Sequence, residues 1–202
     1  MNAKKIGFIG LGLIGGSIAK AIRQYYPDYD IIAFDKNKET LALAVQENII
    51  DTSCSAIDDN FKGCSYIFLC APVSYNTACL TQLKSLIDPD CILTDVGSVK
   101  TSIHEEIISL GMEENFIGGH PMAGREFSGY DYALDHLFDR ASMIITPTEQ
   151  TSAQAVKDVA SLAEIMHFKK VVISSPERHD QIIAFTSQLA HVVSNAYIKS
   201  PS

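Results

Sequence analysis

No basic run interrupts the 202 residues, and the formal net charge is −8. That average field repels nucleic acid, so no nucleic-acid partner is expected. No apolar stretch reaches the length of a membrane span, and none is expected. The N-terminal "MNAKK" leads straight into a strand-like run rather than a long apolar leader, so no signal peptide is expected. Five cysteines (54, 64, 70, 79 and 91) contain no C-x-x-C pair and no metal-ligand spacing. An odd count without a leader implies reduced thiols in a cytoplasmic protein, and no metal is expected. Repeats, low-complexity tracts and linkers are also missing.

What is present is alternation. Apolar runs at 6–9, 31–34, 49–52, 66–70, 91–95 and 115–119 read as strands. Amphipathic segments at 14–25, 38–47, 75–86 and 101–109 read as helices between them. Past a less regular stretch at 124–141, "SMIITPT" reads as a strand, 152–166 as a helix and "KKVVIS" as a last strand. This is the sequence form of an α/β fold, a Rossmann-type doubly wound and mainly parallel sheet. Ser175-Pro176-Glu177 then offers a cap, a first-position proline and a first-turn acid, opening a helix expected to run over 176–198. Its apolar face is too broad for a helix free in water, so it is expected to pack against a further domain or a partner subunit.

"GLGLIGGSIAKAI" (10–22) sets Gly10, Gly12 and Gly15 at the spacing G-x-G-x-x-G between a strand and a helix. The first glycine permits the turn, the second admits a pyrophosphate and the third lets the helix approach the strand. The N–H groups of Leu13 and Ile14 then open the helix toward the phosphates. Asp35 closes the second strand, where a carboxylate accepts the ribose hydroxyls and repels a 2′-phosphate. NAD is therefore expected over NADP, with Lys36 next door softening the preference.

Ligands of such sheets bind beyond the carboxyl ends of the strands. Ala71-Pro72-Val73 follow one strand, Val96 to Lys100 another, and His120 to Glu126 a third. His120 is the leading candidate to accept a hydroxyl proton in hydride transfer, since imidazole titrates in the useful range. Ser98 is read either as orienting the histidine or substrate, or as a helix N-cap. Arg125 and Lys100 are the cations that could hold a substrate carboxylate, the alternative being solvated surface charge. Glu126 is read either as pairing with the neighbours of Arg125 or as lining the pocket. His104, His136 and His167 are read as surface or satisfied histidines. His179 and His191, twelve residues apart on the last helix, are out of phase for one metal.

Several stretches together resemble the prephenate/arogenate dehydrogenase family: the glycine segment, "TDVGSVK", "GGHPMAGREFSGY", "IITPT", "SPERHD" and "TSQLAHVVSNAY". They stand in the family's order and cover nearly the whole chain. "DVGSVK" followed by "GGHPMAG" is the specific part. The resemblance implies NAD-dependent oxidative decarboxylation of prephenate to 4-hydroxyphenylpyruvate in tyrosine biosynthesis. It implies that His120 accepts the hydrogen bond of the ring hydroxyl, with Ser98 contacting both. It implies that His179, Ser187 and His191 border the substrate. Gln188 stands where family members often carry histidine. It further implies an NAD-binding domain over 1–174 and, over 175–202, the start of a C-terminal helical domain that forms a homodimer and supplies a substrate-binding arginine. Two other readings remain open: arogenate as the substrate, and a noncatalytic NAD-binding regulatory module.

Overall fold

The computed structural model describes residues 4–72 and 75–188. Eight strands form one sheet in the order β3-β2-β1-β4-β5-β6-β7-β8. The chain starts in the middle with β1 (Lys5–Ile9), crosses through α1 (Leu13–Tyr25) to β2 (Asp30–Phe34), and through α2 (Lys38–Gln46) to β3 (Thr52–Cys54). It then returns to the other side of β1 and lays down β4 (Tyr66–Leu69), α3 (Asn76–Leu83), β5 (Ile92–Asp95), α4 (Thr101–Leu110) and β6 (Phe116–Pro121). All of these strands are parallel. The reversal of winding direction falls between β1 and β4, and that is where such sheets open a crevice.

β7 (Ser142–Pro147) is the exception: it runs antiparallel to β6, with His120 opposite Ile144. After α5 (Ala153–Ile165), β8 (Lys170–Ile173) pairs parallel to β7, and α6 (Pro176–Ile183) follows.

The parallel strands are apolar on both faces because helices cover both. Ile6 and Phe8 of β1 join one core cluster with Ile18 and Ile22 of α1. Ile9 joins a second with Leu80, Leu83, Ile103 and Ile107 of α3 and α4. Phe8 stacks on Phe68 across the β1–β4 pair, ring centroids 5.1 Å apart. Fully burying such a side chain is worth about 1.5–3 kcal/mol. Helix starts follow their sequence signals. Asn37 Oδ1 accepts the Glu39 N–H at 2.9 Å to cap α2, and Ser152 and Ser175 cap α5 and α6 in the same way.

Several expectations need correction. The third strand lies at 52–54 rather than 49–52. The irregular stretch after β6 contains only a 3₁₀ turn, Tyr130–Tyr132, where short helices were an option. Tyr130 and Ala133 of that stretch pack on Gly16 of α1, where an added Cβ would sit 2.7 Å from the Tyr130 ring and 2.9 Å from Ala133. The last helix does not stay α-helical: after Ile183 the backbone widens into a π-type turn over Ala184–Gln188. Residues 189–198 of the expected helix lie outside the described residues. Ile183 is buried, whereas Ile182 and Phe185 are 45% and 75% exposed. All five cysteines are free thiols; burial raises the Cys64 and Cys91 thiols to about 12. Among the described residues no helix is long and apolar enough to cross a membrane.

Candidate active site

The glycine turn is built by close backbone approach. Gly10 has φ +91°, and a Cβ there would lie 2.7 Å from the backbone of Cys70 and Ala71. Gly15 sits where a Cβ would be 2.4 Å from the Gly10 carbonyl oxygen and 2.9 Å from Cys70 Cβ. Both positions therefore exclude a side chain for reasons internal to the fold. Gly12 differs: nothing lies within 4 Å of its missing Cβ. It is the N-cap of α1, no side chain caps it, and the first turn carries no acid. The open N-terminus of a 13-residue helix thus faces free space, an arrangement suited to an anion.

Asp35 lies just past β2, and both its oxygens are engaged. Oδ2 accepts the Leu11 N–H at 2.7 Å and Oδ1 the Asn37 N–H at 2.8 Å. The carboxylate thereby holds the glycine turn against the β2 end, and each oxygen keeps lone-pair capacity for a further donor. A cavity of about 410 Å³ opens here, lined by Gly10, Gly12 and Leu13, by Asp35 and Lys36, and by Ala71, Pro72 and Tyr75. The Lys36 ammonium stands 3.2 Å from the centre of the Tyr75 ring, and its hydrogen bond and charge lower the Tyr75 phenol. Ile14 packs into the core instead of lining the cavity, and Val73 lies outside the described residues.

Across β4 and β5 lies the histidine. His120 sits inside β6, not beyond its end as the sequence suggests, because the pairing with β7 extends the strand to Pro121. Its Nδ1 is 2.8 Å from Nε2 of His179, whose Nδ1 is 2.7 Å from Oδ1 of Asp180. Burial, then the neighbouring His179 and Lys100, push the His120 imidazole down to about 4, against the opposing pull of Asp180. Burial by itself would raise Asp180. Hydrogen bonds from the Thr101 hydroxyl and N–H, the Lys100 N–H and His179 outweigh it and hold the carboxyl at about 2.

Three sequence readings change in this light. His179 is not on an open substrate face: it is 1% exposed, behind His120, with both ring nitrogens engaged. Lys100 is no surface cation for a substrate carboxylate. It is fully buried, ion-paired to Asp95, and its Nζ donates to the Gly119 carbonyl at 2.6 Å. Ser98 is exposed and does not cap α4; the carboxylate of Asp180 does, accepting the Lys100 and Thr101 N–H groups at 2.8 Å each. No hydrogen bond joins Ser98 to His120 among the described residues. His104 keeps its reading as a satisfied histidine: it is buried, with Nε2 2.9 Å from Thr146 Oγ1.

Arg125 and Glu126 are both exposed on the segment after β6, Arg125 donating to the Tyr132 carbonyl at 3.3 Å. The Ser187 side chain and His191 lie outside what the structure describes. Asp180, Asp95 and Gly16 escape sequence reasoning. Only Asp180 had a signal, its place beside His179 in "SPERHD".

A glycine turn, an open helix N-terminus, an acid after the second strand and a cavity at the switch point define a nucleotide-binding α/β domain of the dehydrogenase kind. The chain belongs to the prephenate dehydrogenase nucleotide-binding domain family, whose model matches residues 18–193. It is 34% identical to the prephenate dehydrogenase of Bacillus subtilis over 98% of this chain and 54% of that protein. It is 33% identical to the cyclohexadienyl dehydrogenase of Zymomonas mobilis over 94% of this chain and 64% of the relative. The chain thus spans about half to two thirds of the length of these curated relatives. Among solved structures, prephenate dehydrogenase from A. aeolicus, in complex with hydroxyphenyl propionate and NAD+, superposes with a TM-score of 0.90 at 32% identity, covering 98% of this chain and 69% of that one. The Synechocystis arogenate dehydrogenase gives 0.88 at 35% identity, covering 96% and 68%.

Proposed function

We propose that this chain is the NAD-binding part, residues 1–174, of a dehydrogenase that oxidatively decarboxylates prephenate to 4-hydroxyphenylpyruvate, with 175–202 opening a helical substrate and dimerisation domain. The observation that carries this reading is the juxtaposition of the open space over Gly12 with a half-buried neutral histidine on the same sheet edge. Gly12 follows β1, and β6 is three strands from β1, on the order of 14 Å at the usual strand spacing. An extended dinucleotide with its phosphates at Gly12 reaches along the sheet edge toward that histidine. The A. aeolicus relative, with NAD+ bound, supports the choice of cofactor.

In this reading Gly10, Gly12, Leu13, Ile14 and Gly15 shape and line the phosphate turn. Asp35 and Lys36 meet the ribose, and Ala71, Pro72 and Val73 border the cofactor from the β4 end. When bound, NAD accepts the hydride from the ring carbon that carries the hydroxyl. His120 accepts the hydrogen bond of that hydroxyl, which lowers the cost of the positive charge that develops as hydride leaves. Loss of the ring carboxylate as carbon dioxide then makes the ring aromatic. Ser98, Arg125, Glu126, Ser187 and His191 are the further substrate contacts. The same reading makes the protein a cytoplasmic homodimer; five free thiols and the exposed Ile182 and Phe185 support those parts.

The 35% identity to an arogenate dehydrogenase favours a second reading, the same chemistry on the amino acid. The test is NADH formation by the 202-residue chain with prephenate and with arogenate, NAD binding being measured on the same sample. NADH appearing with 4-hydroxyphenylpyruvate supports the first reading, and turnover of arogenate alone supports the second. A folded chain that binds no NAD refutes both.

A further inference from the structure

The hydrogen-bond chain behind His120 has a direction. Asp180 is a carboxylate and can only accept, so the Nδ1 of His179 at 2.7 Å carries a proton. A His179 that carries this one proton has a bare Nε2, which must accept. The partner 2.8 Å away is Nδ1 of His120, which therefore donates. One proton position follows from the last. His120 bears its hydrogen on Nδ1, and its Nε2, with no partner among the described residues, is left as a lone pair.

We propose that Asp180, acting through His179, is a positioning residue that fixes His120 in the Nδ1–H tautomer and so presents Nε2 as the acceptor for the substrate hydroxyl. The substrate half of this statement rests on the function proposed above; the tautomer does not. Asp180 is suited to the task because it is itself fixed. Its Oδ1 accepts the Lys100 N–H at 2.8 Å, and its Oδ2 accepts the Thr101 N–H at 2.8 Å and the Thr101 hydroxyl at 2.6 Å. One carboxylate from α6 thus caps α4 and orients a histidine on β6. His179, 1% exposed, has no water competing for either ring nitrogen. When Nε2 takes the hydroxyl proton, the imidazolium keeps its Nδ1–H on His179, and the Asp180 charge lies one ring further along the same line. Lys100 opposes that positive charge, and Asp180 favours it.

The experiment is a long-range ¹H–¹⁵N correlation spectrum of the labelled 202-residue chain at neutral pH, without cofactor or substrate. The six histidines are assigned by single substitution, H120N among them. The expected result is His120 protonated at Nδ1 and bare at Nε2, with His179 also protonated at Nδ1. In His179→Phe the same His120 should move to the Nε2–H form, or to a mixture dominated by it. A wild-type His120 protonated at Nε2 overturns the proposal without any variant. A folded H179F that keeps the Nδ1–H form also overturns it; if H179F does not fold, Asp180→Ala is judged by the same criterion. The spectrum involves neither NAD nor substrate, so it can fail while NADH formation succeeds, and the reverse.

Discussion

Gly12→Ala separates a phosphate cradle from a tight turn. The added methyl meets nothing within 4 Å, and the backbone at φ −79°, ψ −154° is open to any L residue. Two small effects on stability oppose each other. Alanine is a poorer N-cap than glycine, by up to about 1 kcal/mol. It also restricts the unfolded chain, a gain of about 0.4–1 kcal/mol. The net change should stay within about 1 kcal/mol, or a few degrees in melting temperature for a domain of this size. Binding should behave differently. A methyl in the space over the helix N-terminus pushes an approaching pyrophosphate off the N–H groups, and each hydrogen bond to a charged group is worth about 1.5–3 kcal/mol. Losing one weakens NAD binding by about tenfold to 150-fold. Gly15→Ala is the control of opposite character. Its methyl would stand 2.4 Å from the Gly10 carbonyl oxygen, so it should destabilise by about 1–3 kcal/mol before cofactor is considered. Calorimetric titration with NAD and thermal unfolding of both variants read the two quantities. A stable Gly12→Ala with wild-type NAD affinity would refute the reasoning.

Other variants test the rest of the sheet edge. Lys100→Met leaves Asp95, 2% exposed, without its cation, and should cost about 3–5 kcal/mol in urea unfolding; a loss under 1 kcal/mol would show that the pair does not carry the β5–β6 end. His120 is held at about 4 in the fold against an ordinary 6.5, so between those values the unfolded chain binds a proton that the folded chain refuses. Stability should therefore fall as pH drops from 6.5 to 4, and H120N should flatten the melting-temperature profile in that window; Asp180, held at about 2 against 3.8, adds stability that is lost only below it. Asp35→Ser removes the carboxylate that repels a 2′-phosphate and should shift the ratio of NAD to NADP dissociation constants toward NADP, measured by titrating each; an unchanged ratio would remove Asp35 from cofactor selection.

The glycine turn and Asp35 were legible in the sequence because most of their constraints are local: a positive φ at Gly10, the approach of Gly15 to the Gly10 carbonyl and a strand end two dozen residues on. The alternating strands and helices were legible for the same reason, since each carries its own period. The neighbourhood of His120 was not. Lys100 reads as surface charge because lysine usually is, and only Asp95 with the Gly119 carbonyl makes its burial tolerable. Ser98 has the residue type of an N-cap and stands near the start of α4. It yields the role to a carboxylate eighty residues downstream, which no local pattern reveals. β6 outruns its expected end because β7 pairs antiparallel along it, a register set between two segments and written in neither.

Residues 122–141 join two antiparallel neighbours that a short hairpin would serve equally well. The excursion instead runs back over α1. Ser17 Oγ accepts the Leu134 N–H at 2.9 Å, and the Tyr130 hydroxyl reaches Glu47 just beyond α2 at 2.9 Å. The segment therefore serves as a cross-brace between the glycine-turn helix and the histidine strand. Trimming it to a minimal hairpin would preserve every rung of the β6–β7 ladder, yet strip the cover from α1 and leave Gly16 without Tyr130 and Ala133 against it.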